Sequence, residues 1–451
     1  MRTRDRDGPA TPPAHPAPGA PGMLRDLLTD RLAMMSTAVE RHGDAVRMAA
    51  GPKTLYLFNH PDHAKHVLAE NWDNYRKGIG QSHARRALGD GLLTSEGERW
   101  RAQRRTIRPV FQQRRIAGRA DAVAKEAVAL ADRLRARAGR GPVDMVEETT
   151  ALTLGVLGLT LLDTDLHGFD TIGSAFAAVQ DQAMLDMITM NALPVWLPTR
   201  TQTRFRRARA ELARIVDRLV QGRTAADDAD DALSRVLADA SVEPDPRVRS
   251  QRVRDELVTL LLAGHETTAS TLSWALYLVD RNPGTAERLR DEARSVLGDR
   301  APTHEDLPRL TYTSMVVQET MRLYPAVWVL PRVALDDDEV GGYHVPAGSD
   351  VLICPYTLHR RPDAWPDPDR FDPERFAPGR RDERHRYSYI PFGAGPRVCV
   401  GSNLGMLEAV FVLAVIARDL RLTLPPGRRV VPEAMLSLRV RGGLRMNVHT
   451  L

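Results

Sequence analysis

The chain has 451 residues with an ordinary hydrophobic fraction of 43%, so it can bury a sizeable core. Its net charge of +5 is spread over the whole length and does not indicate a nucleic-acid-binding protein. The two cysteines, Cys354 and Cys399, exclude a disulfide scaffold and favour a reducing compartment, although a single bridge between them stays open.

The N-terminal segment 1–22 is rich in Arg, Pro and Ala and lacks the apolar stretch of a signal peptide. We therefore expect a disordered leader, followed by a single domain over residues 23–451. No N-terminal run of about 18 apolar residues is present, which predicts that there is no membrane anchor. Together these features predict a soluble, cytoplasmic protein.

Short strand patterns flank a long helical region, which predicts a mainly α fold with a minor β region, that is, an α+β class. Gly51-Pro52-Lys53 separates the two arms of a predicted hairpin. The strands are expected at Val46–Ala50, Thr54–Phe58, Val329–Ala334, Glu339–Val345 and Val351–Cys354, with more strand signals between 435 and 448.

Helical patterns dominate from about residue 115 to residue 297. Within this region the polar segment 225–247 predicts an exposed connection. The next stretch, about 250–280, contains no proline and stops at Asn282-Pro283-Gly284, which predicts one long helix.

The most informative segment runs from Pro391 to Gly401, where glycines and prolines disfavour regular structure. Helical apolar spacing begins after Gly401, so Cys399 is expected in a Gly-rich loop just before a helix, where backbone N–H groups stabilise a thiolate. Such a thiolate suits an axial haem ligand. Gly395 and Gly401 would let a flat macrocycle approach, and Arg397 could bind a propionate. A buried, inert cysteine is the alternative.

The sequence Ala263-Gly264-His265-Glu266-Thr267-Thr268 places a carboxylate and a hydroxyl in an otherwise apolar helix. A Thr hydroxyl can bond the carbonyl one turn back, and with Gly264 a local widening is expected that leaves room for dioxygen and water. The zinc motif H-E-x-x-H fails because Ala269 stands at the second histidine position. A solvent-facing Glu266 beside a core-filling Thr267 stays open.

The spacing Phe392-x-x-Gly395-x-Arg397-x-Cys399-x-Gly401 resembles the haem-binding signature of cytochrome P-450 monooxygenases, with Gly405 in place of the frequent alanine. The acid–alcohol segment resembles the oxygen-activation motif of that family. The resemblance implies the cytochrome P-450 fold, with haem b between the long helix and the loop of Cys399. It further implies that Thr267 bonds iron-bound oxygen, that Glu266 relays protons and that Ala263 and Gly264 face the cofactor.

Three further segments gain weight from the same resemblance. Glu319-x-x-Arg322 and Pro373-Glu374-Arg375-Phe376 resemble paired motifs, which implies a buried ion-pair network of Glu319, Arg322 and Arg375 that fixes the cysteine loop. Alone, such a pair is a common surface feature. Trp100-x-x-x-Arg104 resembles a helix whose arginine binds a propionate, with the tryptophan packed nearby. Arg332 is another propionate candidate by resemblance, and His359 a weaker one.

The exposed side of the Trp100 helix is rich in arginine, which is either a solvated face or a docking surface for an acidic redox partner. No flavin, nicotinamide or iron–sulfur segment is evident, so the resemblance implies a separate ferredoxin and ferredoxin reductase as electron source, with O₂ as oxidant.

The resemblance also places a hydrophobic substrate against Met187, Val327, Val329 and Leu436, although each of these residues taken alone is more often part of a core than a substrate contact. The stretch Arg322–Leu330, with Gly341-Gly342-Tyr343, looks similar to bacterial members of the family that oxidise sesquiterpenes, which implies a terpenoid substrate. Two other functions stay open: a peroxide-driven or electron-independent haem-thiolate enzyme, and a non-catalytic haem or ligand-binding protein.

Overall fold

The computed structural model describes residues 10–14, 29–50, 53–167, 169, 171–189, 192–221, 223, 231–380 and 383–451. These residues form two compact units, each assembled from separate stretches of chain. The first unit lies within Met1–Ser82, Val327–Arg370 and Gly379–Cys399, and the second within His83–Ala326, Phe371–Pro378 and Val400–Leu451. The expectation that 23–451 forms a single domain stays a prediction.

Helices dominate the described chain, which confirms the predicted mainly α class. In order they are α1 (Arg31–His42), α2 (Pro61–Lys65), α3 (Gln81–Leu88), α4 (Gly97–Ile107), α5 (Gln113–Gly118), α6 (Ala120–Ala136), α7 (Met145–Leu157), α8 (Thr171–Ile188), α9 (Arg200–Val220), α10 (Ala232–Ser241), α11 (Pro246–Arg281), α12 (Pro283–Leu297), α13 (Thr311–Leu323), α14 (Pro355–Leu358) and α15 (Ser402–Asp419).

The strands are short and confirm the minor β region. They are β1 (Ala45–Ala50), β2 (Lys53–Phe58), β3 (Tyr75–Lys77), β4 (Val143–Asp144), β5 (Leu330–Ala334), β6 (Asp338–Val340), β7 (Tyr343–Val345), β8 (Asp350–Ile353), β9 (Leu420–Thr423), β10 (Pro432–Ala434), β11 (Leu438–Val440) and β12 (Arg445–Thr450).

The first unit is built on a five-stranded sheet in the order β1-β2-β8-β5-β3, in which only β2 and β8 run parallel. The predicted hairpin forms β1 and β2, and the predicted strand 339–345 is itself a hairpin, β6 and β7. Apolar residues on one face of the sheet pack with the turn after α2 in a single core, which includes Tyr56, Val67 and Ile353.

Residues 10–14 depart from the predicted disordered leader. The N–H of Ala10 donates to the carbonyl of Gly342 at 3.0 Å, and the N–H of Arg47 donates to the carbonyl of Pro13 at 2.9 Å. An extended Pro-rich segment can satisfy the open backbone groups of an edge strand, which accounts for this order. The other residues of the predicted leader lie outside those that the structure describes.

The second unit centres on α11, whose 36 residues would extend about 54 Å at about 1.5 Å per residue. Asp245 caps the helix by accepting the N–H of Arg247, and Pro246 occupies the first turn, where its missing N–H costs nothing. The helix is longer than predicted because this cap lies five residues before the expected start. Two small sheets, β4-β12-β9 and β10-β11, complete the unit.

The predicted exposed connection 225–247 is wrong over α10. Asp231 caps this helix by accepting the N–H of Ser234 at 2.7 Å, and Leu233, Val236 and Ala240 are buried. Apolar residues three and four apart form a buried helical stripe, which the polar composition of the segment concealed.

One described helical stretch, Met145–Leu162, is long and apolar enough by composition to cross a membrane, and 67% of it is buried within the protein. A core helix has the same composition, and α7 at its start contacts both α6 and α11. The stretch therefore gives only weak support to a membrane-spanning segment.

Candidate active site

The loop that carries Cys399 is closed on itself by backbone hydrogen bonds. The N–H of Cys399 donates to the carbonyl of Phe392 at 2.9 Å, so that the two ends of the predicted motif meet, and the N–H of Val398 donates to Gly395 at 3.1 Å. The next helix, α15, begins three residues after Cys399, as predicted. Residues 391–401 are all partly or fully exposed, which leaves the loop as an open cradle.

The two cysteines have opposite environments. Cys354 is fully buried, its Sγ donates to the carbonyl of Trp328 at 3.2 Å, and burial raises the pKa of its thiol. Cys399 is exposed. Because only a thiolate ligates a metal, Cys354 is the inert thiol and Cys399 is the residue that can serve as an axial ligand.

Two glycines explain the path of the cysteine loop. Gly393 and Gly395 adopt φ values of 71° and 68°, which only glycine takes readily. A Cβ on Gly395 would lie 1.8 Å from the carbonyl oxygen of Leu68, so this glycine serves close packing against the turn that follows α2. The guanidinium of Arg397 lies 5.8 Å from the ring of Trp72 on the same side of the unit.

His359 hydrogen-bonds the backbone that leads into the cysteine loop, and its expected role as a propionate ligand stays a prediction. It is fully buried, and its Nε2 accepts the N–H of Ile390 at 2.8 Å. Through Nε2 the imidazole therefore holds the chain two residues before Phe392.

The predicted oxygen-activation segment forms a solvent-accessible patch in the middle of α11, which we call the opening. The helix is almost entirely buried on both sides of it, yet Ala263 is exposed and Glu266 and Thr267 are partly exposed. Thr267 Oγ1 donates to the carbonyl of Ala263 at 3.0 Å, as expected for a threonine one turn on. The chain nevertheless remains α-helical throughout, so the expected widening of the helix is absent from this described segment.

His265 and Gly264 face away from this opening. His265 is 2% exposed, its Nδ1 bonds the carbonyl of Leu261, and burial lowers the pKa of its imidazole, which keeps it neutral. A Cβ on Gly264 would lie 2.2 Å from Leu157 Cδ1, so the absence of a side chain allows α7 to pack closely against α11 at this point. The structure thus gives Gly264 a packing function, and its expected role toward the cofactor stays a prediction.

Glu266 is held by a partner that the sequence did not reveal. Ser437 Oγ donates to Glu266 Oε1 at 2.5 Å, from the turn Met435–Ser437 between β10 and β11. The carbonyl of Leu438 accepts from Ser270 Oγ at 2.5 Å and from Trp274 Nε1 at 3.0 Å. Three hydrogen bonds therefore fasten this turn, which carries Leu436, to the acid–alcohol face of α11.

The predicted ion-pair network forms inside the second unit. Arg322 and Glu319, both fully buried, pair through two hydrogen bonds of 2.7 and 2.8 Å. Glu319 Oε1 also accepts the N–H of Asp372 at 2.9 Å and lies 3.4 Å from Arg375 Nε. Burial raises the pKa of Glu319, and the bonds from Arg322 oppose that shift. The network joins α13 to the turn at Pro373–Phe376; its effect on the cysteine loop stays a prediction.

Helix α4 presents Trp100 and Arg104 as predicted, with the guanidinium 5.7 Å from the indole ring. Trp100 is buried, whereas Arg101, Arg105, Arg108 and Arg114 are exposed. Gln103 anchors the helix to the preceding loop through the carbonyl of Asp90 at 2.9 Å.

The loop before α4 docks on α11 through two adjacent carboxylates. Asp255 accepts the N–H of Asp90 at 2.9 Å, and Glu256 accepts the N–H of Leu92 at 3.1 Å. A Cβ on Gly89 would lie 2.1 Å from Asp255 Oδ1, so glycine is required for this approach. Burial is the main cause that raises the pKa of Glu256 to about 7. No sequence motif indicated this contact.

The remaining predicted residues are divided between the two units. Arg332 is 6% exposed on β5, and its Nη1 donates to the carbonyl of Pro331 at 2.9 Å. Val327 and Val329, in the first unit, and Met187 and Leu436, in the second, are all partly exposed. Their membership of one substrate pocket stays a prediction.

The residues present fit a cysteine-ligated haem. In the first unit an exposed thiol stands in a closed loop, and in the second unit Ala263 is accessible on α11. A single thiolate is sufficient when the porphyrin supplies the other ligands.

The chain belongs to the cytochrome P450 family, whose model matches residues 9–444. It is therefore a haem-thiolate monooxygenase. Cyclooctatin synthase of Streptomyces melanosporofaciens is 40% identical over 90% of this chain and 88% of its own length. Cyclooctat-9-en-7-ol 5-monooxygenase of the same species is 36% identical over 95% of both chains, and pentalenene oxygenase of Streptomyces avermitilis is 30% identical over 94% of both. The resemblance to bacterial terpene-oxidising members is thereby confirmed.

Proposed function

We propose that this enzyme inserts one oxygen atom of O₂ into a cyclic terpenoid, using electrons from a separate ferredoxin and its reductase. The observation that carries the proposal is the accessible acid–alcohol face in the centre of an otherwise buried helix. The names of the relatives support the substrate class, since pentalenene is a terpene hydrocarbon and cyclooctat-9-en-7-ol a polycyclic alcohol. A cytoplasmic location belongs to the same proposal.

Cys399 would hold the haem iron, and Trp100, Arg104, Arg332 and Arg397 are the propionate-side residues. The haem, when bound, supplies the redox chemistry of oxygen activation. The protein contributes the exposed sulfur of Cys399 and arginine side chains that can pair with the two propionate carboxylates.

Proton supply falls to Glu266 and Thr267. Because Thr267 Oγ1 donates its proton to the carbonyl of Ala263, its lone pairs remain able to accept a hydrogen bond from water. Glu266 accepts the hydroxyl of Ser437 through Oε1, which leaves Oε2 to take part in the relay. An acid and an alcohol on adjacent residues thus form a short relay into the opening.

Electron delivery would use the exposed arginines of α4 and the following turn. Arg105, Arg108 and Arg114 are exposed, and opposite charge on a ferredoxin would accelerate its encounter with this surface. A peroxide-driven enzyme would need no such surface, and turnover with peroxide but none with ferredoxin would favour that alternative.

The two cysteines provide the test. The reduced protein with CO should show the absorption band typical of the family, and Cys399→Ser should abolish it. Cys354→Ser, which removes the buried thiol, is the matched control and should retain the band. Retention by the Cys399 variant would refute the assignment.

A further inference from the structure

The segment between α8 and α9 ends in an uncharged hydrophobic tip. Leu193–Pro198 contains six apolar residues in succession, which we call the apolar tip. Trp196 within it is 73% exposed, whereas Trp274 and Trp365 are fully buried. An exposed tryptophan flanked by partly exposed Val195 and Leu197 is unfavourable in water, since apolar area is left unburied.

Backbone carbonyls of the apolar tip are hydrogen-bonded within the protein. The carbonyls of Leu193 and Pro194 accept from Arg86 and Gln202, each at 2.8 Å. Arg206 Nη1 donates to the carbonyls of both Val195 and Trp196 at 2.9 Å. Four consecutive carbonyls therefore need no water, which lowers the cost of moving the tip into a poorly hydrated region.

A row of exposed arginines continues from the tip along α9. The intervals of four, three, seven and four residues keep them on one side of the helix, opposite buried Phe205 and Leu212. We call this row the arginine stripe: Arg200, Arg204, Arg207, Arg214 and Arg218. The helix carries seven arginines and two acidic residues, a surplus of five that equals the net charge of the whole chain.

The acidic neighbours of the stripe leave it positive. Arg204 lies 3.1 Å from Asp181, and Arg214 lies 2.5 Å from Glu211, so that two of the five positive charges in the stripe are balanced and three remain. The positive face is therefore open to an anionic partner.

We propose that the apolar tip and the arginine stripe together form a contact surface for an anionic lipid bilayer. Tryptophan favours the membrane–water interface, and arginines near an anionic leaflet each add attraction, so the two features reinforce each other. An acidic protein or a nucleic acid would match the stripe but would give no reason for six uncharged apolar residues beside it. The contact is peripheral and reversible, and it does not depend on the identity of the substrate.

Co-sedimentation of the haem-loaded full chain with vesicles tests the proposal. We expect binding to phosphatidylcholine vesicles that contain phosphatidylglycerol, and little to phosphatidylcholine alone. Arg200→Gln with Arg207→Gln should weaken binding about thirty-fold, and Trp196→Ser about ten-fold. Trp196→Phe should restore most of the loss, since an aromatic ring is kept. High salt should weaken vesicle binding by the wild type because it screens the charges of the arginine stripe.

Arg105→Gln with Arg108→Gln is the matched control, because it removes the same charge from exposed positions on another helix and turn. It should leave vesicle binding unchanged, and the CO band of every variant reports that its fold is intact. The proposal is overturned if the wild type does not bind anionic vesicles, or if the control pair weakens vesicle binding as much as the stripe pair does.

Discussion

Glu256→Gln should remove a pH dependence of stability that originates in the contact between α11 and the loop before α4. Glu256 is 4% exposed, and its pKa is raised by burial to about 7 from an ordinary 4.5. Arg99 opposes this shift, whereas Asp239 and Asp255 add to it. Glutamine keeps a carbonyl oxygen that can accept the N–H of Leu92, so the substitution changes the charge and conserves the contact.

The direction of this pH dependence follows from the number of protons that the folded and unfolded states bind. Between pH 4.5 and about 7 the folded protein holds a proton on Glu256 that the unfolded chain has released, so stability falls as the pH rises through this window and levels off above it. The shift corresponds to about 3 kcal/mol, since one pKa unit is worth about 1.4 kcal/mol. The variant lacks this contribution and should be the more stable protein, relative to wild type, at the upper end of the window.

Urea denaturation of both proteins from about pH 5 to about pH 8 measures the effect, with equal haem loading throughout. Glu408, another buried carboxyl whose pKa burial raises, is present in both proteins and cancels in the difference. Glu98→Gln, at an exposed position on α4, controls for the loss of a charge. An unfolding free energy that changes with pH equally in wild type and Glu256→Gln would refute the reasoning.

Three further outcomes are expected. Thr267→Ala should lower product formed per electron consumed and raise peroxide release, because the acceptor in the opening is lost; unchanged coupling would contradict the relay. Arg322→Met should destabilise the protein by about 3–5 kcal/mol in urea denaturation, since it leaves the buried Glu319 without its main partner, and a loss below about 1 kcal/mol would show that the network is dispensable. Gly395→Ala should reduce haem incorporation, because its Cβ would collide with the Leu68 carbonyl, whereas Gly405→Ala, 3.6 Å from Thr268 Oγ1, should not.

Patterns that act over short stretches of chain were predictable. The hairpin of β1 and β2, the long helix α11 and the loop position of Cys399 follow from turn residues, caps and periodicity, which are properties of neighbouring residues. The helix α10 was missed because its buried stripe is narrow and its flanks are acidic.

Contacts between distant residues were not predictable. Ser437 and Glu266 are separated by 171 positions and Asp255 and Asp90 by 165, and no local pattern encodes either pair. The roles of individual glycines and histidines were also ambiguous. A glycine can make room for a cofactor or for a neighbouring helix, and a histidine can bind a ligand or a backbone group. Gly264 admits Leu157, and His359 holds a backbone amide.

The turn Met435–Ser437 has a consequence for anyone who wishes to redesign this catalyst. Leu436, a predicted contact for the substrate, is flanked by the hydroxyl that orients Glu266. Because Glu266 belongs to the proposed proton relay, substitutions at Leu436 that are chosen only to accept a new substrate are expected also to change the fraction of consumed electrons that appears in product. A screen that measures only product yield would not distinguish weak substrate binding from uncoupled turnover. Leu436, Ser437 and Glu266 are therefore best varied together.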